Sequence, residues 1–310
     1  MPPNLYQRLV QLAEMALPPG VSEKLRQRVR EQRSARNAAR LAERLAWWDA
    51  QPADGSSTTV ELQHGVRMQI YFGGELSRFI FQGEFEGDER HFLNAFLRPG
   101  DTFVDIGANL GLFSLIAAHL VGPKGRVHAF EPCAKTFDRL RANVDLNGFQ
   151  NVTLHSLALS DTAEQREMVM AVDGMDAWNS LAKPYMGGNY TTETISTETW
   201  DTFAEANGLG TGVTLMKIDV EGWEAPVLAG ARKMLSKPDA PVLQVEFTDE
   251  AAKAAGHSCH EVYRMLEEYG YRLYRYDPHQ RQLTHDPIRA EYPYMNLFAI
   301  KDLAAVTQRI

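Results

Sequence analysis

Three features are scarce in this sequence, and each scarcity excludes a class of protein. Two cysteines, Cys133 and Cys259, occur among 310 residues, too few for a disulfide framework and typical of a reducing compartment. No apolar run approaches the roughly 20 residues needed to cross a bilayer. Acidic residues outnumber basic ones by 40 to 32, which argues against nucleic acid as the main partner. We therefore expect a soluble, cytoplasmic protein with no membrane span and no nucleic-acid partner.

The first 50 residues differ from the rest in their charge. Residues 1–48 hold nine basic residues against four acidic ones. Within them, Val21–Trp48 has neither Gly nor Pro and is rich in Ala, Arg, Glu and Gln, which predicts a helix with one narrow apolar stripe. We interpret residues 1–50 as a helical extension that packs on the main domain or on a second copy in a homo-oligomer. The alternative is a basic helix that docks on another partner or on an anionic membrane surface.

Residues 51–83 are expected to form a small β unit. They begin with QPADGSST, which has the composition of a linker. Three segments then alternate apolar and polar residues, with glycine-containing turns between them: Thr59–Leu62, Val66–Phe72 and Ser77–Phe81. This pattern predicts an antiparallel β meander.

Residues 84–310 are expected to form the main domain, an α/β fold. After a helix over Asp88–Leu97, strands alternate with helices, and repeated βα units build a mostly parallel sheet with helices on both faces. The strands are predicted at Phe103–Ile106, Arg126–Phe130, Val152–Leu157, Val213–Ile218, Val242–Phe247, Tyr271–Tyr276 and Met295–Ile300. Ligands of such sheets bind beyond the carboxyl ends of the strands, so we expect the functional site there.

The first of these strands ends in Asp105-Ile-Gly107-Ala-Asn109-Leu-Gly111. A glycine turn between a strand and a helix is common among nucleotide-binding folds, and here an aspartate stands two residues before the first glycine. A carboxylate in this place would repel the pyrophosphate of a dinucleotide. It would attract a cofactor that carries an amino group and a sulfonium but no phosphate. The turn therefore predicts S-adenosylmethionine as the cofactor.

Two further carboxylates follow the next strands and are assigned to the same cofactor. Glu131 lies twenty positions beyond Gly111, where an acidic residue accepts hydrogen bonds from both hydroxyls of an adenosyl ribose. The alternative for Glu131 is a carboxylate that caps the next helix. Asp161, in Ala158-Leu-Ser-Asp161, is placed to bind the adenine amino group, and its alternative is a turn-forming aspartate.

Three charged residues, Lys217, Asp219 and Glu221, leave the end of a later buried strand on one side, because side chains alternate along a strand. In the functional interpretation Asp219 or Glu221 takes a proton from the acceptor while Lys217 holds the carboxylate. In the alternative the three form a self-satisfied ion cluster. Glu246 ends the next strand, where we expect it to contact the acceptor or, together with Asp219, to hold a divalent cation; the alternative is a carboxylate that caps a neighbouring helix.

The runs VDIGANLG, FEP, ALSD, KIDVEGWE, VLAGA and NLFAI together resemble the FkbM-type methyltransferases. The resemblance covers about residues 84–300. It implies a class I methyltransferase (Rossmann-like) fold, with a seven-stranded sheet whose last strand runs antiparallel. It also implies S-adenosylmethionine as the cofactor and O-methylation of a hydroxyl on a sugar, polyketide or related acceptor.

The same resemblance implies a set of site residues. The implied cofactor contacts are Asp105, Gly107, Asn109, Glu131 and Asp161. Glu86 and Ser180 are implied to line the pocket. Residues 168–195 follow the family least closely, and we expect acceptor specificity to reside there. Within them Trp178 and Tyr185 are candidates for stacking on a ring of the acceptor.

Two other functions compete with methyl transfer. A nicotinamide-dependent oxidoreductase would need its pyrophosphate to tolerate Asp105, and the turn departs from the G-x-G-x-x-G spacing. A catalytically inactive binding or scaffold protein could keep the fold, but the retained Asp105, Glu131, Asp219 and Glu221 argue against it. We therefore expect an S-adenosylmethionine-dependent O-methyltransferase that acts on a hydroxyl of a sugar, glycan or related natural product by in-line transfer.

Overall fold

The computed structural model describes residues 19–83, 85–171, 181 and 189–310. The chain divides into two compact units, with the boundary after Pro52. In the first unit a single long helix, α1, runs over Pro19–Asp49, as the composition of Val21–Trp48 predicted. No helix in the described ranges is both long enough and apolar enough to cross a membrane.

The second unit begins with two strands rather than the three predicted. Strand β1 (Ser57–Glu61) pairs antiparallel with β2 (Arg67–Tyr71). The segment Ser77–Phe81, predicted as the third strand of a meander, instead lies in a helix, α2 (Glu75–Gln82). The prediction of a third strand in this unit was therefore wrong.

The physical reason is the spacing of the buried residues in α2. Leu76 and Ile80 are four residues apart and both are buried, together with Ser77, so one helical face packs inward. The Ser77 hydroxyl also accepts a hydrogen bond from the Tyr71 N–H at 3.0 Å. Gly83, in the left-handed conformation (φ 93°), ends the helix. A short alternating run inside a helix was mistaken for a strand.

The rest of this unit alternates strands and helices. Its strands are β3 (Thr102–Ile106), β4 (Arg126–Phe130), β5 (Val152–His155), β6 (Ala158–Leu159), β7 (Gln165–Ala171), β8 (Tyr190–Glu198), β9 (Leu215–Ile218), β10 (Val242–Phe247), β11 (Arg272–Asp277), β12 (Gln282–His285) and β13 (Met295–Ile300). Its helices are α3 (Gly87–Phe96), α4 (Leu112–Val121), α5 (Ala134–Asn147), α6 (Trp200–Ala206), α7 (Glu224–Gly230), α8 (Arg232–Leu235), α9 (Asp249–Ala254), α10 (Cys259–Glu268) and α11 (Leu303–Thr307).

The main sheet has eight strands in the order β12-β11-β13-β10-β9-β3-β4-β5. Strands β5, β4, β3, β9 and β10 are parallel, and β13 runs antiparallel to both β10 and β11. The seven predicted strands and the antiparallel last strand are therefore present, in an α/β fold of the expected class. The eighth strand, β12, arises because the chain turns back after β11: Asp277 accepts hydrogen bonds from the N–H groups of His279 and Gln280.

A smaller sheet of three strands has the order β6-β8-β7. Strand β8 runs parallel to β6 and antiparallel to β7. These strands belong to the part of the chain in which acceptor specificity is expected. Trp178, Ser180 and Tyr185, which the sequence proposed as acceptor contacts, lie outside the described residues.

The two faces of the main sheet carry different side chains. On one face Val104 and Ile106 of β3 and Met216 and Ile218 of β9 belong to the main buried apolar cluster. Because side chains alternate along a strand, the residues between them point the other way. Asp105 of β3 is in parallel register with Lys217 of β9. The alternation therefore places a buried acid beside a buried base near the carboxyl end of the sheet.

Two histidines form a pair near the β5 edge, in which His128 is buried and His155 is half-buried. His128 Nδ1 lies 3.2 Å from His155 Nε2, and the two rings are stacked. The ring of His155 also packs on Phe130 and Phe203, with centroids 4.5 and 4.8 Å apart. Burial, reinforced by the neighbouring His128, lowers the pKa of His155 to about 4. A neutral His155 is therefore part of the folded structure at neutral pH.

Acid should destabilise the protein through this pair. As the pH falls from 6.5 towards about 4, the unfolded chain binds a proton that the folded chain does not, so the free energy of unfolding should fall by roughly 1–3 kcal/mol. His155→Phe keeps a ring in place and should flatten this pH dependence in urea unfolding. His279→Phe, at an exposed histidine, is the control. Equal slopes in the wild type and His155→Phe would contradict the assignment.

Candidate active site

A cavity opens at the carboxyl ends of β3, β4 and β9, where the sequence predicted the site. Its volume is ≈ 1000 Å³, counting the part open to solvent, as is usual for small-molecule sites. The charged and amide side chains that line it are Glu86, Asp105, Asn109, Glu131, Lys217, Asp219 and Glu221. Its apolar lining includes Leu76, Phe85, Phe113, Met168, Leu181 and Trp223. Of the predicted site residues that the structure describes, those not lining the cavity are Gly111, Asp161 and Glu246.

The glycine turn after β3 is held by the neighbouring strands. Gly107 has φ 81°, and its N–H donates to the Phe130 carbonyl at 3.1 Å. A Cβ on Gly107 would come within 1.9 Å of the Asp219 carbonyl oxygen. Glycine is therefore required here by the close approach of the end of β9, in addition to any approach of a ligand. Gly111, at φ 95°, is the residue from which α4 begins.

Glu131 follows β4 and joins the turn after β3 to the start of α5. Its Oε2 accepts from the Asn109 N–H at 3.0 Å, and its Oε1 accepts from the Cys133 N–H at 2.9 Å. Burial raises its pKa to about 7, although the two N–H donors oppose the shift. The carboxylate thus bonds Cys133, the residue just before α5, and also lines the cavity, as the cofactor interpretation requires.

Asp105 is almost completely buried, with 1% of its surface exposed. Its Oδ2 accepts from the Ser114 hydroxyl at 2.6 Å. Its Oδ1 has no hydrogen-bond partner among the described residues. Burial raises the pKa of Asp105, and the positive charge of Lys217 opposes that shift. The turn therefore offers an oxygen acceptor and negative charge to a ligand in the cavity, and this charge would repel a phosphate.

Asp161 lies away from the cavity. It is exposed, its Oδ1 accepts from the Ser160 hydroxyl at 3.0 Å, and the Arg166 guanidinium lies 3.9 Å from it. These partners are side chains, whereas a turn-forming aspartate bonds backbone N–H groups two residues on. Its role as the adenine ligand stays a prediction.

Lys217 lies near the end of β9, among the carboxylates that line the cavity. Its side chain is 4% exposed, and its Nζ lies 2.6 Å from Asp219 Oδ2. Burial disfavours the ammonium, but the carboxylates of Asp219, Glu86 and Asp105 overcome this and raise the pKa of Lys217 above its usual value. The lysine is therefore a permanent cation. The predicted pairing of Lys217 with Asp219 is present.

Glu246 stands behind these groups, and its carboxylate is close to two others. The nearest carboxylate oxygens of Asp219, Glu221 and Glu246 all lie within 4.8 Å of one another. Glu246 Oε1 accepts from the Thr248 hydroxyl at 2.9 Å, while Oε2 has no partner among the described residues. Burial, followed by the charges of Glu221 and Asp219, raises the pKa of Glu246 well above its usual value. Such a group holds either a shared proton or a cation.

One residue that shapes the site was not singled out from the sequence. Glu224 is buried, and its Oε1 accepts from the N–H groups of Val220 and Gly222 at 3.1 and 3.2 Å. It therefore fixes the loop that carries Glu221. The signal was present in the run VEGWE, whose second acid lies at the start of a helix, the usual place for a carboxylate that binds backbone N–H groups.

Comparison with known proteins decides the family. Residues 105–273 match the methyltransferase FkbM domain. The chain is 32% identical over 201 residues to a protein of Streptomyces tacrolimicus named 31-O-demethyl-FK506 methyltransferase FkbM, covering 56% of this chain and 75% of that protein. The chain belongs to the FkbM methyltransferase family. Another similar protein is Methyltransferase 1 of Beauveria bassiana, 29% identical over 150 residues, covering 43% of this chain and 59% of that protein.

A crystal structure of an FkbM methyltransferase from Methylobacillus flagellatus KT is also similar. It is 16% identical, with a TM-score of 0.39, and the match covers 72% of this chain and 54% of that one. The chain thus spans three quarters of the length of the Streptomyces relative and about half of the length of the Methylobacillus protein.

Membership of the FkbM family makes this protein an S-adenosylmethionine-dependent methyltransferase. The residues present fit that cofactor. Asp105 offers a buried, unpartnered Oδ1 at the cavity, which suits a cationic ligand without phosphate. Glu131 lines the same cavity, already oriented by two N–H donors. Asp105, Glu131 and the turn at Gly107 and Asn109 are the residues that would hold the cofactor.

Cofactor affinity should depend on the ionisation of Glu131. Ribose hydroxyls donate best to a carboxylate, so binding of S-adenosylhomocysteine should release a proton and tighten as the pH rises through about 7. Calorimetry in two buffers of different ionisation enthalpy measures the number of protons released on binding. Glu131→Gln should abolish the release and weaken binding by about tenfold or more.

Asp161→Asn is the comparison that decides the role of Asp161. Since Asp161 lies outside the cavity, the affinity of this variant for S-adenosylhomocysteine should stay within about twofold of the wild type. A loss as large as that of Glu131→Gln would instead establish Asp161 as the adenine ligand.

Proposed function

We propose that this FkbM-family enzyme methylates a hydroxyl oxygen of a sugar, glycan or related natural product. The observation that carries the proposal is the Lys217–Asp219 ion pair, whose lysine is almost fully buried, in a cavity that is also lined by apolar side chains. A hydroxyl can hydrogen-bond to such a pair while the rest of the acceptor contacts the apolar wall. The name of the Streptomyces relative, a 31-O-demethyl-FK506 methyltransferase, supports transfer to oxygen.

The carboxylates also restrict the charge of the acceptor. Besides Asp105 and Glu131, the cavity is lined by Glu86, Asp219 and Glu221, and Lys217 is the single lysine or arginine among the described residues that line it. A phosphate or carboxylate near the reacting hydroxyl would be repelled. A neutral acceptor is therefore favoured, and nucleic acid is disfavoured.

The apolar wall determines which part of the acceptor can bind beside the hydroxyl. Trp223 is held by a hydrogen bond from its indole N–H to the Ser160 hydroxyl at 3.0 Å, and the Arg166 guanidinium lies 5.1 Å from its ring centroid. A fixed aromatic face of this kind suits the apolar face of a sugar or macrocycle. Trp178, Ser180 and Tyr185 remain proposed acceptor contacts on sequence grounds.

The chain contributes position and charge to the reaction. When bound, S-adenosylmethionine supplies a methyl group made electrophilic by its sulfonium. Asp105 and Glu131 hold that cofactor, and Lys217 with Asp219 orients the acceptor oxygen for in-line attack. An aliphatic hydroxyl must also lose its proton to a nearby carboxylate. The sequence points to Asp219 or Glu221 for this step.

Three further features are part of the proposal. The composition supports a cytoplasmic location. The carboxylates that line the cavity support an uncharged small molecule as the acceptor. Self-association through α1, a basic helix, is proposed for the N-terminal unit. The nicotinamide alternative is set aside because the family is that of methyltransferases, and a purely structural role does not account for the charged residues in the cavity.

Labelled methyl transfer tests the proposed reaction. The full chain, incubated with methyl-labelled S-adenosylmethionine and a cellular metabolite pool, should yield a product heavier by one methylene unit, with the label bonded to oxygen by NMR. Lys217→Met should lower the rate by about 10²-fold or more, while Lys233→Met, at an exposed ion pair, should leave it unchanged. Label on nitrogen or carbon would refute O-methylation.

We also propose that Asp219, Glu221 and Glu246 hold a divalent cation. Their oxygens are close enough to share one ion, and oxygen donors of this charge suit Mg²⁺ or Ca²⁺. Glu246 Oε2, buried and without a partner among the described residues, is the strongest support for a missing positive charge. Lys217 is bonded to Asp219 and so supplies part of this charge.

Calorimetry with MgCl₂ and no acceptor tests the cation. The chelator-treated wild type should bind one equivalent, and Glu246→Gln should weaken that binding by about tenfold or more. Glu250→Gln, exposed at the start of α9, is the control. If the wild type binds no Mg²⁺ or Ca²⁺ and EDTA leaves the transfer rate unchanged, the group holds a shared proton instead.

A further inference from the structure

Among the cavity carboxylates, Glu86 comes from a different part of the chain, the start of α3 ahead of the main sheet. We propose that Glu86 is the group that takes the proton of the acceptor hydroxyl, and that Asp219 serves instead as the fixed counter-ion of Lys217. This inference rests on the proposed O-methylation. It replaces the assignment of the base to Asp219 or Glu221 that the sequence alone suggested.

Asp219 is poorly suited to accept a proton. Its Oδ2 is 2.6 Å from the Nζ of Lys217, whose side chain is almost fully buried. Protonating Asp219 would leave the lysine charge without its nearest partner, and breaking a buried ion pair from one side is costly. The pair is therefore better used as a fixed dipole that orients the acceptor oxygen.

Glu86 has neutral hydrogen-bond partners. Its Oε1 lies 3.3 Å from the Tyr294 hydroxyl and 3.3 Å from Asn296 Nδ2, both of which can donate to it. Neither contact is an ion pair, so a proton on Glu86 breaks no salt bridge at these two donors. Its side chain lines the cavity with Lys217 and Asp219, and its charge acts directly on Lys217.

The backbone of Glu86 is held in an unusual conformation. It has φ 47° and ψ 47°, the left-handed region, which a residue with a Cβ enters at a cost of about 1 kcal/mol. Its carbonyl accepts from the Arg90 N–H at 3.0 Å, which begins α3 at this residue. The preceding Phe85 also lines the cavity. The helix start therefore places two consecutive side chains towards the acceptor.

The surroundings give Glu86 the proton affinity that a base needs near neutral pH. The charged and titratable groups that act on it are Lys217 and Asp219 at the end of β9, Tyr294 just before β13, and Glu89 and Arg90 of α3. Burial raises the pKa of Glu86 to about 8, reinforced by Asp219 and Glu89 and opposed by Lys217. A carboxylate with this affinity is a stronger base than an ordinary glutamate.

The step balances with the groups already named. The acceptor O–H bond breaks as the oxygen–methyl bond forms, and the proton passes to the Glu86 carboxylate. The methyl–sulfur bond breaks, and its electron pair stays on sulfur, which becomes a neutral thioether. Glu86 then returns the proton to solvent. Because only ionised Glu86 can take the proton, the rate should rise with pH up to about 8.

The test compares Glu86→Gln with Asp219→Asn and Glu221→Gln, using the hydroxyl acceptor isolated in the labelled-methyl assay. We expect Glu86→Gln to lower kcat/KM by 10²- to 10⁴-fold and to remove the rise of the rate with pH. Asp219→Asn should lose rate, because Lys217 loses its nearest partner, but it should keep that rise. Asp88→Asn, an exposed acid in the same helical turn, should behave as the wild type. Binding of S-adenosylhomocysteine to Glu86→Gln should change by less than about threefold.

Two further measurements keep the test independent of a folding defect and of turnover. Glu86→Asp retains a carboxylate and tolerates the left-handed backbone, so it should recover part of the rate and its pH dependence. Infrared pH-difference spectra of the full chain should lose one buried carboxyl titration near pH 8 in Glu86→Gln but not in Asp88→Asn.

The outcomes separate this inference from the proposed function. The role of Glu86 would be overturned if the wild type forms O-methyl product, Glu86→Gln keeps the wild-type rate, and Asp219→Asn or Glu221→Gln loses the rise of the rate with pH. The base would then be Asp219 or Glu221. A wild type that binds S-adenosylhomocysteine but forms no O-methyl product would overturn the proposed function itself, and the inference with it.

Discussion

A buried lysine surrounded by carboxylates is the interaction on which the rest of this site depends. Lys217 and Asp105 lie in register on adjacent parallel strands. Asp219, just after β9, forms an ion pair with Lys217. Without Lys217, the carboxylates of Asp105, Asp219 and Glu86 would lie together in a site from which water is partly excluded. They would then bind protons and become neutral. The lysine keeps negative charge available in the cavity, where the cationic cofactor and, in our proposal, a neutral hydroxyl would meet.

The region ahead of the main sheet completes the cavity. Leu76 of α2, together with Phe85 and Glu86 before α3, lines the same cavity as the glycine turn. The match to the FkbM domain begins only at residue 105, so this wall lies outside it. A cofactor site inside the match and a cavity wall outside it would let related methyltransferases bind different molecules, since methyl transfer requires the same cofactor geometry in each case.

Much of the site was accessible from sequence because strand periodicity is local. The alternation in Leu215–Ile218 was enough to place Lys217 on the side opposite Ile218, and the glycines at 107 and 111 marked the turn between β3 and α4. Where local patterns are ambiguous, the prediction failed: the run Ser77–Phe81 fits both a strand and a helical face. Glu224 was missed because its importance lies in two backbone N–H groups that only the folded loop presents.

The sequence by itself determined the α/β class, the order of the charged strand ends and the nature of the cofactor, since each follows from short-range patterns of polarity and from the charge of one aspartate. The tertiary structure alone decided which carboxylates share a cavity, because that depends on strand order and on contacts between residues far apart in the chain. Glu86 reaches Asn296 across 210 positions, while Asp161, assigned to the cofactor from its place in the sequence, lies outside the cavity. Proximity and burial set the proton affinity of such groups, and neither can be read from spacing along the chain.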